Sequence, residues 1–117
     1  MKFTVNQSTK ESKMFARNVT MNLKPNAGIE FTRTLENDIV PMLRKHSGFA
    51  DELTFLGSSG KQAVAISLWD TKISADAYDR DGYAKVLKGL SKVIDGTPVV
   101  RTYEVSNSTW HKIPARS

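Results

Sequence analysis

Cysteine is absent from the chain, which excludes disulfide bonds, thiolate nucleophiles and thiolate-bound zinc or iron–sulfur centres. Long hydrophobic runs are absent as well, since no segment approaches the roughly 20 consecutive apolar residues needed to span a bilayer. The first residues contain no apolar core of a signal peptide. The sequence therefore predicts a cytoplasmic protein without a membrane segment, whose chemistry relies on oxygen and nitrogen side chains.

Metal-binding patterns are missing too. His46 and His111 are far apart in the sequence and have no spaced carboxylate partner, so we expect no metal site. His46 follows a predicted helix, where a positive charge is favourable, and a structural role suits it better. Acidic residues recur between positions 70 and 81, but the solvated start of a helix explains them better than a magnesium site.

The composition is that of one folded domain, with 39% hydrophobic and 25% charged residues in a chain of 117. Seventeen basic residues against 12 acidic ones give a net charge of +5, which favours an anionic ligand or a phosphate backbone. Much of this excess lies at the two ends, so a solubilising role is the simpler interpretation. We expect an N-terminal arm at 1–13, a domain at 14–107 and a basic C-terminal tail at 108–117.

Hydrophobic periodicity predicts four strands and two helices. The segments that read as strands are 14–23, 49–57, 62–69 and 99–105. The segments with helical spacing are 27–46 and 74–94. Pro41 should kink the first of them near 38–40. Ser74 should cap the second, and Gly82 should split it in two. Glycines and serines between the second and third strands indicate a hairpin.

This order of elements predicts an α+β, ferredoxin-like βαββαβ fold, with a four-stranded antiparallel sheet and both helices on one face. The third strand is apolar on both sides, since Val64, Ile66 and Leu68 alternate with Ala63, Ala65 and Trp69. Two helices cover only one face of such a sheet. We therefore expect a homodimer in which the other face packs against a second copy of the chain.

Two stretches resemble the antibiotic biosynthesis monooxygenase family of dimeric α+β barrels, including its haem-degrading branch. The first is Phe15–Lys24, in which Asn18 occupies the position of an active-site asparagine of the haem-degrading enzymes. The second is Ala65–Lys72, a strand that ends in Trp69 before a helix that starts with small and acidic residues. Gly48 and Phe49, after the first helix, also fit the family.

The resemblance implies chemistry without a cofactor. Where the haem-degrading branch has a stacking tryptophan and an iron-binding histidine, this chain has Tyr78 and Lys88. Tyrosine can still stack, but a protonated lysine amine has no lone pair for iron. The remaining family activity is oxidation of a small phenolic or aromatic substrate by dioxygen, with haem binding and a non-catalytic ligand-binding barrel as the alternatives.

Candidate site residues follow from the resemblance and from residue type. We expect Asn18 to orient a substrate oxygen or dioxygen, Trp69 to form the wall of the site, and Tyr78 to donate or relay a proton. Core packing is the competing interpretation of Trp69. The expected substrate-binding residues are Arg101, Tyr83 and Lys88.

Nucleic-acid binding is a weaker interpretation of the same strand and helix order. An RNA-recognition domain stacks bases on aromatic residues of its central strands, within a basic, glycine and aromatic pattern. The segment 62–68 has neither feature. We therefore expect neither nucleic acid nor membrane among the partners.

Overall fold

A four-stranded antiparallel sheet with helices on one face forms the protein, and the computed structural model describes residues 13–113. The strands are β1 (Phe15–Leu23), β2 (Phe49–Leu56), β3 (Gln62–Trp69) and β4 (Ile94–Glu104). The helices are α1 (Gly28–Thr34), a π-helical turn (Leu35–Ile39), α2 (Val40–Arg44), α3 (Lys72–Asp81) and α4 (Tyr83–Leu90). The strand order β2-β3-β1-β4 confirms the predicted ferredoxin-like fold. The expected arm lies outside the described residues except for Lys13, and so does the end of the tail.

The first helical segment is interrupted where Pro41 predicted a break. Pro41 has no backbone N–H to donate to the carbonyl four residues earlier. The chain widens into the π-helical turn just before it, where the Val40 N–H donates to the Leu35 carbonyl five residues back. The segment ends before Gly48, which takes a positive φ of 83°.

The second helical segment starts earlier than predicted. Ser74 is not its cap: Thr71 is, because the Thr71 side chain accepts a hydrogen bond of 3.1 Å from the Ser74 backbone N–H. Gly82 splits the segment into α3 and α4, as predicted. The prediction for the last strand was short, since β4 begins at Ile94 rather than Val99. Ile94 is buried and pairs with Leu23 at the far end of β1, which extends the strand.

Burial separates the two faces of the sheet. On the helix side, Phe31, Ile39 and Trp69 are the largest fully buried side chains. On the other side, Val64, Ile66 and Leu68 are half-buried. Four further side chains on this uncovered face are exposed, at 37% for Leu53, 51% for Phe55, 51% for Val99 and 52% for Tyr103. No helix within residues 13–113 is long and apolar enough to cross a membrane.

Candidate functional site

A small cavity of about 40 Å³ lies between the helix side of the sheet and the helices. Most of its wall is formed by apolar residues of the helices and of the helix side of the sheet: Val19, Met21, Leu35, Ile39, Leu43, Ala65, Val86, Leu87 and Leu90. Ile66 also borders the cavity, although strand alternation places its side chain on the other face. Five polar residues complete the wall: Arg17, Glu52, Ser67, Tyr78 and Tyr83. The surface of the cavity is almost wholly apolar, and polar residues are built into its wall. An apolar chamber with a few polar residues is the usual form of a small-molecule site.

Three of the polar residues form a row across the sheet. Ser67 in β3 pairs with Arg17 in β1 on one side and with Glu52 in β2 on the other. Directly opposed residues in a sheet point to the same face. Neighbouring strands are roughly 4.8 Å apart, so the backbones of Arg17 and Glu52 are separated by about 10 Å, on either side of Ser67.

Arg17 is a buried cation, with only 3% of its surface exposed. Its Nη1 donates to Asp79 Oδ1 at 2.8 Å, and its guanidinium carbon lies 5.3 Å from the ring centre of Tyr78 and 4.7 Å from that of Tyr83. Its Nε and Nη2 atoms are buried and have no hydrogen-bond partner among the described residues. Arg17 therefore lines the cavity and keeps two unused donors, which neighbouring side chains cover.

An aromatic stack supports the cavity wall. The rings of Trp69 and Tyr78 are stacked with centres 4.8 Å apart, and the Trp69 Nε1–H donates to Ser67 Oγ at 2.9 Å. His46 packs edge-on against Tyr78 at 5.2 Å, and Phe49 packs edge-on against Trp69 at 5.5 Å. Trp69 itself does not line the cavity: it holds in place Tyr78 and Ser67, which do.

The environment of the site keeps both tyrosines neutral. Burial raises the pKa of Tyr78 far above that of a free tyrosine, and the nearby Arg17 charge offsets only part of this effect. Burial also raises the pKa of Tyr83. Both hydroxyls are therefore protonated at neutral pH and act as hydrogen-bond donors, not as bases.

Glu52 is the carboxylate of the cavity. Burial raises its pKa, and the hydrogen bond that it accepts from the Thr54 hydroxyl opposes this shift. A carboxylate with a raised pKa is a stronger proton acceptor than a free one. The sequence analysis did not single out Glu52, which looks like an ordinary polar residue of a strand.

The structure brings together only some of the residues expected at the site. Tyr78 and Tyr83 line the cavity, with their ring centres 6.2 Å apart. Asn18 and Arg101 pair with each other across β1 and β4, but on the uncovered face of the sheet, away from the cavity. The reason is the two-residue alternation of a strand, which places Arg17, and not Asn18, on the cavity side. Lys88 is exposed on α4.

The residues around the cavity do not fit haem. No histidine lines its wall, and the aligned Lys88 is exposed. Within residues 13–113 no cluster of three or more histidine, aspartate or glutamate side chains is placed to hold a metal ion.

A second depression lies on the outside of α1, beside Ile29 and Leu56, and has a larger volume of about 470 Å³. It is wide and shallow, and its charged residues, Arg33 and Glu36, are exposed. Without buried polar groups to orient a ligand, it has less of the character of a site than the smaller chamber.

Comparison with known proteins identifies the architecture. A monooxygenase from the gene ActVA-Orf6 of Streptomyces coelicolor, solved with the ligand nanaomycin D, superposes with a TM-score of 0.70 over 83% of this chain and 91% of its own, at 16% identity. The cofactor-independent oxygenase SnoaB of Streptomyces nogalater gives 0.66 over 83% and 97%, at 12% identity. A candidate antibiotic biosynthesis monooxygenase from Bordetella bronchiseptica gives 0.69 over 81% and 99%, at 11% identity.

This is the fold of the antibiotic biosynthesis monooxygenases. The fold implied by the sequence resemblance is thereby confirmed over most of the chain. No family model matches the sequence, and no curated protein matches it. The likeness is one of structure at low identity, so the activity has to be argued from the site.

Proposed function

We propose that this protein is a cofactor-independent monooxygenase that oxidises an electron-rich aromatic or phenolic small molecule with dioxygen. The observation that carries the proposal is the apolar chamber with its neutral Tyr78, stacked on Trp69, and the carboxylate of Glu52 in the same wall. SnoaB, which has this fold, is named as a cofactor-independent oxygenase. The ActVA-Orf6 neighbour, solved with a small molecule, supports a small-molecule ligand here.

The chemistry needs few protein groups because the substrate supplies the electrons. Glu52 accepts the proton of a phenolic hydroxyl, and the resulting phenolate is electron-rich enough to reduce dioxygen. One oxygen atom becomes a new carbonyl on the ring, the other leaves as water, and the phenol is oxidised to a quinone. The neutral Tyr78 hydroxyl donates a hydrogen bond to an oxygen anion as it forms, and the apolar wall excludes water.

The cavity is too small for an aromatic substrate, so some of its half-buried side chains must move to admit one. A space of about 40 Å³ holds dioxygen but not an aromatic ring. Six residues of the wall are half-buried, and three of them, Val19, Ala65 and Ile66, belong to the central strands β1 and β3. The other three, Glu52, Tyr83 and Leu87, lie on the edge strand β2 and on α4. We expect them to mark the entrance and to move apart when a ring enters, while the buried Trp69 and Tyr78 stay in place.

Oxygen consumption tests this function. Purified protein is mixed with a panel of hydroxynaphthalenes in an oxygen electrode, and the product is analysed for one incorporated atom from labelled dioxygen. Glu52→Gln and Tyr78→Phe should each lower the rate by about 10²-fold, in line with a lost proton acceptor or oxyanion donor. Glu36→Gln, at an exposed position outside the cavity, is the matched control. Tight binding without oxygen uptake would instead make the protein a small-ligand binder.

We also propose a homodimer, formed through the uncovered face of the sheet. Exposed apolar side chains lie at both edges of this face, Leu53 and Phe55 on β2 and Val99 and Tyr103 on β4, with the half-buried apolar residues of β3 between them. Monomeric proteins rarely leave such an apolar face to water. Sedimentation equilibrium at micromolar concentration should give twice the chain mass. Phe55→Asp should shift the mass to that of one chain, whereas Ile73→Asp, on exposed α3, should not. A wild-type monomer would refute the proposal.

A further inference from the structure

We infer that Arg17 is the ligand-recognition residue of the cavity and selects aromatic ligands that carry a negatively charged oxygen, either a phenolate or a ring carboxylate. This inference rests on the proposed function, because it names the class of substrate that the same cavity takes. It concerns a residue that neither the sequence resemblance nor the fold assigns to the site.

The first argument is the edge of the guanidinium that remains free. Nε and Nη2 lie side by side on one edge of the planar group and point their N–H bonds in the same direction. These are the two atoms without a partner among the described residues, while Nη1 is engaged by Asp79. Two parallel donors at this spacing match a carboxylate, or a phenolate with a neighbouring oxygen.

The second argument is burial. A guanidinium that is 3% exposed has lost its water, and protein groups normally replace all of the lost hydrogen bonds. Asp79 replaces only part of them and is itself 56% exposed, so it neutralises the buried charge incompletely. An anion in the cavity would supply the missing hydrogen-bond partners, which would explain why two buried donors of Arg17 have no partner in the protein.

The third argument is rigidity. The backbone of Arg17 is fixed in the central strand β1, hydrogen-bonded to β3 and β4 on either side. Tyr78 and Tyr83 lie within cation–π distance of its guanidinium, so the plane of the fork is held before any ligand arrives. A donor pair that is positioned in advance costs less to order on binding than a mobile surface arginine.

The fourth argument is the arrangement of charge along the polar row. Glu52 is on the opposite side of Ser67 from Arg17. Both residues belong to the wall of the cavity, so a ring hydroxyl bound there can give its proton to Glu52 and pair, as the anion, with Arg17. The O–H bond breaks, the proton moves to the Glu52 carboxylate, and the phenolate formed pairs with Arg17. The row thus converts a neutral phenol into the anion that Arg17 holds.

Matched ligands test the inference by isothermal titration calorimetry. 2-Naphthoate and 2-naphthamide have nearly the same size and shape but differ in charge at neutral pH. Wild-type protein should bind the naphthoate at least about tenfold more tightly, as expected for hydrogen bonds to a charged group. Arg17→Gln should abolish this preference and leave the affinity for the naphthamide within about twofold. Arg44→Gln removes the same charge from the exposed surface and should keep the preference.

Arg17→Lys separates charge from geometry. It retains a cation but not the planar edge, so its preference for naphthoate should lie between those of the wild type and Arg17→Gln. Circular dichroism before each titration establishes that the variant is folded. Equal binding of the two ligands by the wild type, or an undiminished preference in folded Arg17→Gln, would overturn the inference.

The outcomes also separate this inference from the proposed function. A clear preference for naphthoate without oxygen uptake on any phenol refutes the oxygenase and leaves Arg17 as the recognition residue of a binding protein. Oxygen uptake that Arg17→Gln leaves unchanged refutes the role of Arg17 and leaves the oxygenase. Absence of binding by either ligand in the wild type, together with no oxygen uptake, would refute both.

Discussion

Replacing Arg17 with methionine should leave the protein at least as stable as the wild type, although the variant loses a buried ion pair. Methionine has a similar length, fills the space of the stem and has no hydrogen-bonding demand. Replacing buried ion pairs by apolar residues of similar volume is often neutral or stabilising, by about 1–4 kcal/mol. A residue that is kept for a ligand, and not for stability, should behave in this way.

The contacts of Arg17 determine how much the free energy of unfolding should change in Arg17→Met. The bond to Asp79 contributes little, roughly 0.2–1 kcal/mol, because that carboxylate is 56% exposed and screened by water. The contacts to the Tyr78 and Tyr83 rings add about 0.5–2 kcal/mol each. Against these gains, each of the two unpartnered buried donors costs about 1–3 kcal/mol. The two sides nearly cancel, so the free energy of unfolding should change by between zero and about +2 kcal/mol in Arg17→Met.

Urea denaturation followed by circular dichroism measures this change. Asp79→Asn provides the contrast, because it leaves the buried Arg17 charge without its counter-ion and should destabilise the protein by roughly 0.2–1 kcal/mol. Combining the two substitutions should restore most of that loss, since no buried charge remains to be paired. A loss of more than about 2 kcal/mol in Arg17→Met alone would show that Arg17 stabilises the fold, and the argument from its unused donors would fail.

Further substitutions test other parts of the structure. Gly60→Ala, at a φ of 74° in open space, should lower the stability by about 1–2 kcal/mol. Gly48→Ala, at a φ of 83°, should lower it more, because its new methyl group would overlap the first turn of α3. Equal losses of stability in thermal melting would contradict this packing. Burial raises the pKa of Glu52 above 4.5, so the folded state binds the proton more tightly than the unfolded state. The free energy of unfolding should therefore fall more steeply in the wild type than in Glu52→Gln as the pH rises above 4.5. Parallel curves of unfolding free energy against pH for the two proteins would contradict this. Trp69→Phe should cost about 1–3 kcal/mol and slow oxygen uptake, whereas Trp110→Phe, at an exposed position, should do neither.

Much of the fold follows from local pattern. The alternation of apolar residues located β1 and β3 to within one residue, and Pro41 and Gly82 marked the two interruptions of the helical segments. The errors lie at element ends. Thr71 and Ser74 are both good capping residues, and only the packed position of α3 selects Thr71. The start of β4 depends on the pairing of Ile94 with Leu23, which joins residues far apart in the sequence.

The site was harder to predict because its residues are distant in sequence and its lining depends on strand parity. A one-residue difference on β1 decides whether Asn18 or Arg17 enters the cavity. The available signal was Arg17 itself, a charged residue on the same parity as the apolar Phe15, Val19 and Met21. Nothing in the local sequence around Glu52 indicates that β2 places it beside Ser67.

The sequence by itself determined the class of the protein: a single α+β domain without cysteine chemistry, with its strands and helices in ferredoxin-like order. Periodicity and turn residues act over a few positions, so this level of organisation can be read from the chain. Only the tertiary structure decided the site. It brought Arg17, Glu52 and Tyr78 from three separate elements to one cavity, and it buried Arg17 with two free donors. The physical reason is that burial and long-range pairing, which set charge and hydrogen-bonding demand, arise only when distant segments meet.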